Sequence, residues 1–188
     1  GIHMTVTEAV QQRWQSVMMN NYGTPPLALA SGEGAVVTDV DGKTYVDLLG
    51  GIAVNVLGHR HPAIIDAVTR QLSTLGHTSN LYATEPGIAL AEQLVALLGA
   101  EAQARVFFCN SGSEAADTAM KIALAYWNAR GQGTRTRFVG RERGYHGVGF
   151  GGMAVGGLAN NRKAFGTMLP GVDHLPSTYN REQPAFSK

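Results

Sequence analysis

Arg105-Val-Phe-Phe-Cys-Asn110-Ser-Gly-Ser-Glu114 is the stretch that decides the fold. Its first half is a short apolar run, as expected of a strand buried on both faces of a parallel sheet. Asn110 and Ser111 break the run, and a helix is expected from about Gly112 to Ala129. Upstream, Pro86 opens a helix with Ile88, Leu90, Leu94, Val95 and Leu98 apolar and Gly99 as its stop. Downstream, Arg135 to Gly140 reads as the next strand. Helix, strand, helix, strand in that order predicts an α/β domain with a parallel sheet.

Towards the N-terminus, Gly1-Ile-His-Met4 reads as an expression scar before a natural start. Val6, Val10, Trp14, Val17 and Met18 recur at helical spacing, which predicts an amphipathic helix from about Thr5 to Met19. Pro25-Pro26 ends it. Ala35 to Asp39 and Thr44 to Leu49 flank an Asp41-Gly42 turn, the signature of a β-hairpin. Gly58 to Pro62 breaks the chain, and Pro62 suits the first turn of a helix through Ile64, Ile65, Val68 and Leu72. The expected division is an N-terminal segment over 5–60 and the first part of a larger α/β domain over 61–188.

Fifteen Lys and Arg stand against 14 Asp and Glu, a net charge of +1 with no basic run. That balance lacks the electrostatic footprint nucleic-acid binding needs. No stretch approaches the ~18 uninterrupted apolar residues of a membrane span, and the N-terminus lacks a signal-peptide pattern. The reading is a soluble, cytoplasmic chain. One Cys and six His at no zinc-type spacing give neither an internal disulfide nor a metal site. Glycine is in excess, with 24 in 188 residues and eight of them from Gly140 to Gly157. Such density implies close approach to a ligand or unusual dihedrals, or else a flexible loop.

Two places carry candidate chemistry. Where the expected strand turns into the helix, Ser111-Gly112-Ser113-Glu114 offers unpaired amides at the positive end of a helix dipole, a ready phosphate site. The same residues also suit an ordinary cap, with Ser111 at the N-cap and Glu114 completing a capping box. Tyr145-His146-Gly147 lies past the second expected strand, where α/β folds place ligands. Tyr145 there is either a platform for a planar ring or a loop aromatic, with His146 its polar neighbour. Gly147-Val-Gly149-Phe-Gly-Gly152 matches a dinucleotide fingerprint, but it begins seven residues after the strand and Gly156-Gly157 occupies the place of a crossover helix. Cys109, Trp127 and the Met18-Met19 pair read as packing residues.

Asn21-Tyr22-Gly23-Thr24-Pro25-Pro26, Gly51 to His59, His77 to Tyr82, Phe107 to Ala115 and Tyr145-His-Gly147 together resemble the class III, fold-type-I aminotransferases. The resemblance covers residues 5 to 188. It implies pyridoxal 5'-phosphate as cofactor, an amino donor and a 2-oxo acid as substrates, and a homodimer. It places the cofactor phosphate on Ser111, Gly112 and Ser113, the pyridine ring against Tyr145, and Glu114 and His146 close by. Tyr22 and Ile52 fall at substrate-pocket positions. Residues 5 to about 110 are most similar to acetylornithine aminotransferases. Ser113 to Thr118, Ala125 to Trp127, Arg143 to Val148, Asn161-Arg-Lys163 and Val172 to Pro176 resemble ω-amino acid:pyruvate aminotransferases, as in a recombined or intermediate sequence.

One departure has chemical weight. Acetylornithine enzymes usually carry Arg after the His-Gly pair, where it grips a substrate carboxylate, and this chain has Val148. The family's catalytic Lys and the Asp that pairs with the pyridinium nitrogen lie downstream of Tyr-His-Gly and are assigned to no residue here. Lys43, Lys121, Lys163 and Lys188 are poorly placed to replace the Lys. The expectation is therefore an aminotransferase portion active when completed, the alternative being an inactive fragment that binds phosphate or cofactor or serves assembly.

Overall fold

Helix α1 (Val6–Val17) begins with a complete capping box: the Thr5 hydroxyl accepts from Glu8 N and the Glu8 carboxylate accepts from Thr5 N, both at 3.1 Å. It stops short of the expected Met19 because Met18 turns extended. This is seen in a computed structural model that describes residues 3–166 and 168–179; Gly1 and Ile2 of the expected scar, and Lys188, lie outside the described residues. The chain divides between Ala83 and Thr84 into two units, each described by itself.

In the first unit, strands β1 (Leu29–Glu33), β2 (Val36–Asp39) and β3 (Thr44–Val46) form an antiparallel sheet in that order. The hairpin between β2 and β3 is the expected one. β1 is an addition, since Leu-Ala-Ser-Gly-Glu shows no apolar alternation to announce it. Asp39, buried at the end of β2, organises the turn: Oδ1 accepts from the amides of Asp41 and Lys43, and Oδ2 accepts from the Tyr45 hydroxyl, all at 2.9 Å. Asp41 at the turn then accepts from the amides of Val6 and Thr7, at 3.0 and 3.1 Å, and from the Thr7 hydroxyl. The turn carboxylate thus satisfies orphan donors at the start of α1 and complements its dipole.

Past β3, Asp47 repeats the device. Its Oδ1 accepts from the amides of Leu49 and Gly50, and its Oδ2 meets His59 Nε2 at 2.7 Å. These bonds open α2 (Gly50–Ala53), a single turn with positive φ at all four residues. A β-branched residue in that region is uncommon, so Ile52 at φ 64 is held there by its surroundings. Helix α3 (Pro62–Thr74) starts, as expected, with Pro62 in its first turn, and His61 caps it by accepting from Ala63 N.

The second unit begins with α4 (Glu85–Leu98), closed by Gly99 at φ 84. The strand expected over Arg105–Asn110 does not form. These residues join no ladder, and Phe107 and Phe108 are exposed. A strand is defined by a hydrogen-bonded neighbour, and among the described residues no strand runs beside this segment. Helix α5 (Gly112–Ala129) follows as expected. Strand β4 (Phe138–Arg141) starts three residues later than the apolar pattern implied and pairs in parallel with β5 (Val172–Leu175), in register Phe138↔Val172 to Arg141↔Leu175. The short helices α6 (Phe150–Val155) and α7 (Ala159–Arg162) lie on the crossover between them. No helix among the described residues is long and apolar enough to cross a membrane.

Three carboxyls of the first unit are held below the ordinary 3.8. Burial opposes ionisation of Asp39, but the Tyr45 hydroxyl and two amides outweigh it. The Thr7 hydroxyl dominates at Asp41, and the Gly50 amide followed by His59 dominates at Asp47. A depressed folded-state pKa means the unfolded chain binds more protons in acid. The stability these groups contribute is therefore complete above the ordinary carboxyl range and is lost as pH falls through their lowered values. Thermal melts followed by circular dichroism should be flat down to about pH 5 and fall below it, and Asp39→Asn should flatten the acid limb while lowering the plateau. Thr5→Ala should cost about 1 kcal/mol at any of these pH values, the usual loss for a helix cap.

Candidate functional site

Ser111 sits extended before α5, and its Oγ accepts from Glu114 N at 3.1 Å. Glu114 receives the Ser111 hydroxyl at 3.3 Å on one carboxylate oxygen and the Asn110 side-chain amide at 3.4 Å on the other. The cap forms as expected, but the reciprocal half of the capping box does not, since Glu114 takes the Ser111 hydroxyl and not the Ser111 amide; the cap uses only one of the free amides. Among the described residues the amides of Gly112 and Ser113 have no hydrogen-bond partner. A Cβ built on Gly112 would meet nothing within 4 Å, so the approach to those amides is open.

Ser113 reaches the other way. Its Oγ accepts from the Val148 amide at 2.9 Å, which leaves its own proton available to an oxygen acceptor. This bond requires Gly147, at φ 101, because a Cβ there would lie 2.6 Å from Ser113 Cα. One turn along α5, Asp117 accepts from the Gly152 amide at 2.7 Å. A Cβ at Gly149 would come within 2.3 Å of the Asp117 carboxylate, and one at Gly152 within 2.2 Å of the His146 carbonyl oxygen. The glycines after β4 therefore seat the loop against α5. Asp117 was missed in the sequence; its signal was its place four residues after Ser113, on the same helix face.

The loop so held presents Tyr145, His146 and Val148, all exposed at their side chains. The His146 imidazole lies over Gly144, where a Cβ would come within 3.1 Å of Nε2. The structure thus joins Ser111 to Glu114 and Val148 into one cluster through Ser113, with Tyr145 and His146 on the adjoining loop. Tyr22 and Ile52 belong to the first unit, where Tyr22 is exposed and Ile52 lies in the left-handed turn α2. Cys109 is half-buried, and Trp127 packs edge-on to Tyr126 with the Arg135 guanidinium 3.5 Å over its ring.

Two unpaired amides, a hydroxyl with a free proton and the positive end of an 18-residue helix, opening onto clear space above Gly112, fit a phosphate group. The fold and this cradle define an α/β domain with open, unpaired amides at a helix start. The profile of the class-III aminotransferases matches residues 17–187. The acetylornithine aminotransferase of Mycobacterium tuberculosis H37Rv is 63% identical over 171 residues, which are 91% of this chain and 41% of that protein. That of Mycobacterium leprae is 60% identical over 172 residues, 92% of this chain and 41% of the relative. An amine transaminase structure from an uncultivated Pseudomonas species, with PLP bound, is 35% identical with a TM-score of 0.79, over 86% of this chain and 37% of that one. A transaminase from a marine Virgibacillus superposes with a TM-score of 0.84 at 26% identity, over 92% and 41% of the two chains. The chain belongs to the class-III aminotransferases, pyridoxal-phosphate enzymes of fold type I. It spans about two-fifths of the length of these relatives, 41% of the mycobacterial proteins.

Gly147→Ala forces an L residue to φ 101 and a methyl group onto Ser113. It should destabilise the second unit by more than ~1 kcal/mol and speed hydrogen exchange at the Val148 amide. Gly112→Ala, whose methyl meets nothing, should leave both unchanged.

Proposed function

We propose that the whole protein is a transaminase, moving an amino group from an ω-amino acid, an amine or acetylornithine to a 2-oxo acid such as pyruvate or 2-oxoglutarate. The observation that carries this reading is the Ser113 hydroxyl, held by the Val148 amide beside two free amides and the open space at Gly112, in a class-III aminotransferase chain. Pyridoxal phosphate, when bound, supplies an electron-withdrawing ring that stabilises charge at a substrate carbon. Ser111, Gly112 and Ser113 hold its phosphate, Tyr145 gives its ring a platform, and Glu114 and His146 flank it. Tyr22 and Ile52 line the substrate pocket. The chain contributes an N-terminal segment over 5–60 and the first part of the cofactor domain over 61–188. The protein works in the cytoplasm as a homodimer. Support for association comes from apolar faces such as Ile64, Ile65 and Val68 of α3, which are exposed.

Val148 sets the donor preference. A neutral side chain where acetylornithine enzymes carry Arg gives no bidentate grip on an α-carboxylate, which favours ω-amino acids and amines. The 63% identity to an acetylornithine aminotransferase is the argument for keeping acetylornithine among the donors. The lysine that holds the cofactor covalently is assigned to no residue of this chain. Lys121 lies about 12 Å down α5 from Ser113 by helical rise. A second reading, a phosphate-binding or assembly module, draws on the same cradle without the chemistry.

In a cofactor titration followed by absorbance, Ser113→Ala should weaken pyridoxal phosphate binding about tenfold or more, as loss of a hydrogen bond to a charged group implies. Tyr145→Ala should weaken it as well. Borohydride reduction with peptide mapping should label no lysine of the chain stoichiometrically; one labelled site among Lys43, Lys121, Lys163 and Lys188 would overturn the assignment. With the whole protein, ω-amino acids with pyruvate should outperform acetylornithine with 2-oxoglutarate, and Val148→Arg should reverse the order. The opposite native preference sinks the donor reading.

A further inference from the structure

Asn161-Arg-Lys163 and Val172-Asp-His-Leu-Pro176 take no part in the cradle or the ring platform, yet the fold brings them together. Arg162, at the end of α7, places Nη1 3.4 Å from Nε2 of His174 on β5. The same Nε2 lies 3.0 Å from the carbonyl oxygen of Gly156. One imidazole nitrogen serves only one of these neighbours: with a proton it donates to the carbonyl, and without one it accepts from the guanidinium. A lone pair set against a carbonyl oxygen at that distance is repulsive, so Nε2 carries the proton and Gly156 takes it. Arg162 Nη1 then faces a donor.

Arg162 Nε is also without a hydrogen-bond partner, and that atom is buried. Buried polar atoms are nearly always paired, and a guanidinium has only donors to offer. The group that satisfies it is an acceptor. The described residues do not supply it: the neighbouring acid on β5, Asp173, is bound to Arg137 at 2.6 Å. Arg162, Lys163 and His174 line a cavity of about 760 Å³ with no Asp or Glu among the described residues of its walls. Leu169, Pro170 and Val172 make its apolar side. That volume lies in the range of small-molecule sites and far exceeds a bare ion.

We propose that this cavity is a binding site for a small organic anion, a carboxylate on a short apolar body, with Arg162 taking the carboxylate, Lys163 adding charge and the Leu169-to-Val172 wall taking the carbon chain. It is separate from the cradle at the start of α5 and does not rest on the transaminase reading.

Calorimetric titration of the full chain at low ionic strength with hexanoate, hexanol and inorganic phosphate tests it. Hexanoate should bind saturably at one site, with hexanol at least tenfold weaker for want of the charge and phosphate weaker for want of the apolar body. Arg162→Gln should weaken hexanoate at least tenfold, whereas Ser113→Ala should leave it within twofold. Equal binding of hexanoate and hexanol, tighter binding of phosphate, indifference to Arg162→Gln, or no saturable binding would each overturn the site. If Arg162→Gln loses its folded circular dichroism, Lys163→Met and the Arg162 Nε–H resonance of the unaltered chain decide instead. Hexanoate must lose affinity in the first and shift the second, and failure of either ends the proposal.

Discussion

The Ser113 hydroxyl and the Val148 amide, 2.9 Å apart, fix the site from both sides. The bond occupies a lone pair of Oγ and leaves the hydroxyl proton free to donate. It also draws the loop after β4 onto the first turn of α5, which only a glycine at position 147 permits. Asp117 grips the same loop one turn further along through the Gly152 amide, at 2.7 Å. Two side chains four residues apart on one helix face thereby hold the loop. The glycine density of this loop is the consequence, since each close approach to α5 or to β4 leaves no room for a Cβ. Gly140 shows the same logic against α6, where a Cβ would sit 1.9 Å from the Val155 carbonyl oxygen.

A second constraint is surface. Among the described residues many large apolar side chains are exposed, Ile64, Ile65 and Val68 of α3 among them. Buried apolar side chains among the described residues are Val37 and Ala154. Helices with an apolar stripe, such as α3 and α4, earn little stability until that stripe is covered. What holds each unit as it stands is mostly polar: carboxylates on amides, caps, and side chains bonded to loops.

That balance explains which features were legible in the sequence. Caps and turns are local, so the Asp41-Gly42 hairpin, Pro62 and Pro86 in first turns, the Gly99 stop and the Ser111 cap could all be read from a few residues. Pairing is not local. Arg105–Asn110 has the composition of a buried strand, but composition carries no information about which neighbour supplies the ladder. β1 failed in the other direction, being small and polar yet paired to β2. The left-handed turn at Gly50–Ala53 was hidden because the group that meets its first amides is the Asp47 carboxylate, itself held by His59 twelve residues on. Gly50-Gly51 hints at it, and Ile52 argues against it. The glycines after β4 were recognised as needing close approach, but the partner turned out to be Ser113 and Asp117, some 35 residues earlier in the chain.

Positions 147 and 148 show how such a site separates what must stay from what is free to change. At 147 the backbone dihedral and the contact with Ser113 exclude every side chain. At 148 the residue is tied through its amide alone, and its side chain points into solvent. Any L residue but proline keeps the amide that donates to Ser113, so the cradle is indifferent to the side chain there. In the proposed transaminase, that is the condition for changing the amino donor without disturbing the cofactor: the atom that orients the cradle belongs to the backbone, and the atoms that meet the donor belong to the side chain. Arg and Val are then interchangeable as far as the fold is concerned, and what distinguishes them is only whether a substrate carboxylate finds a guanidinium or an apolar wall.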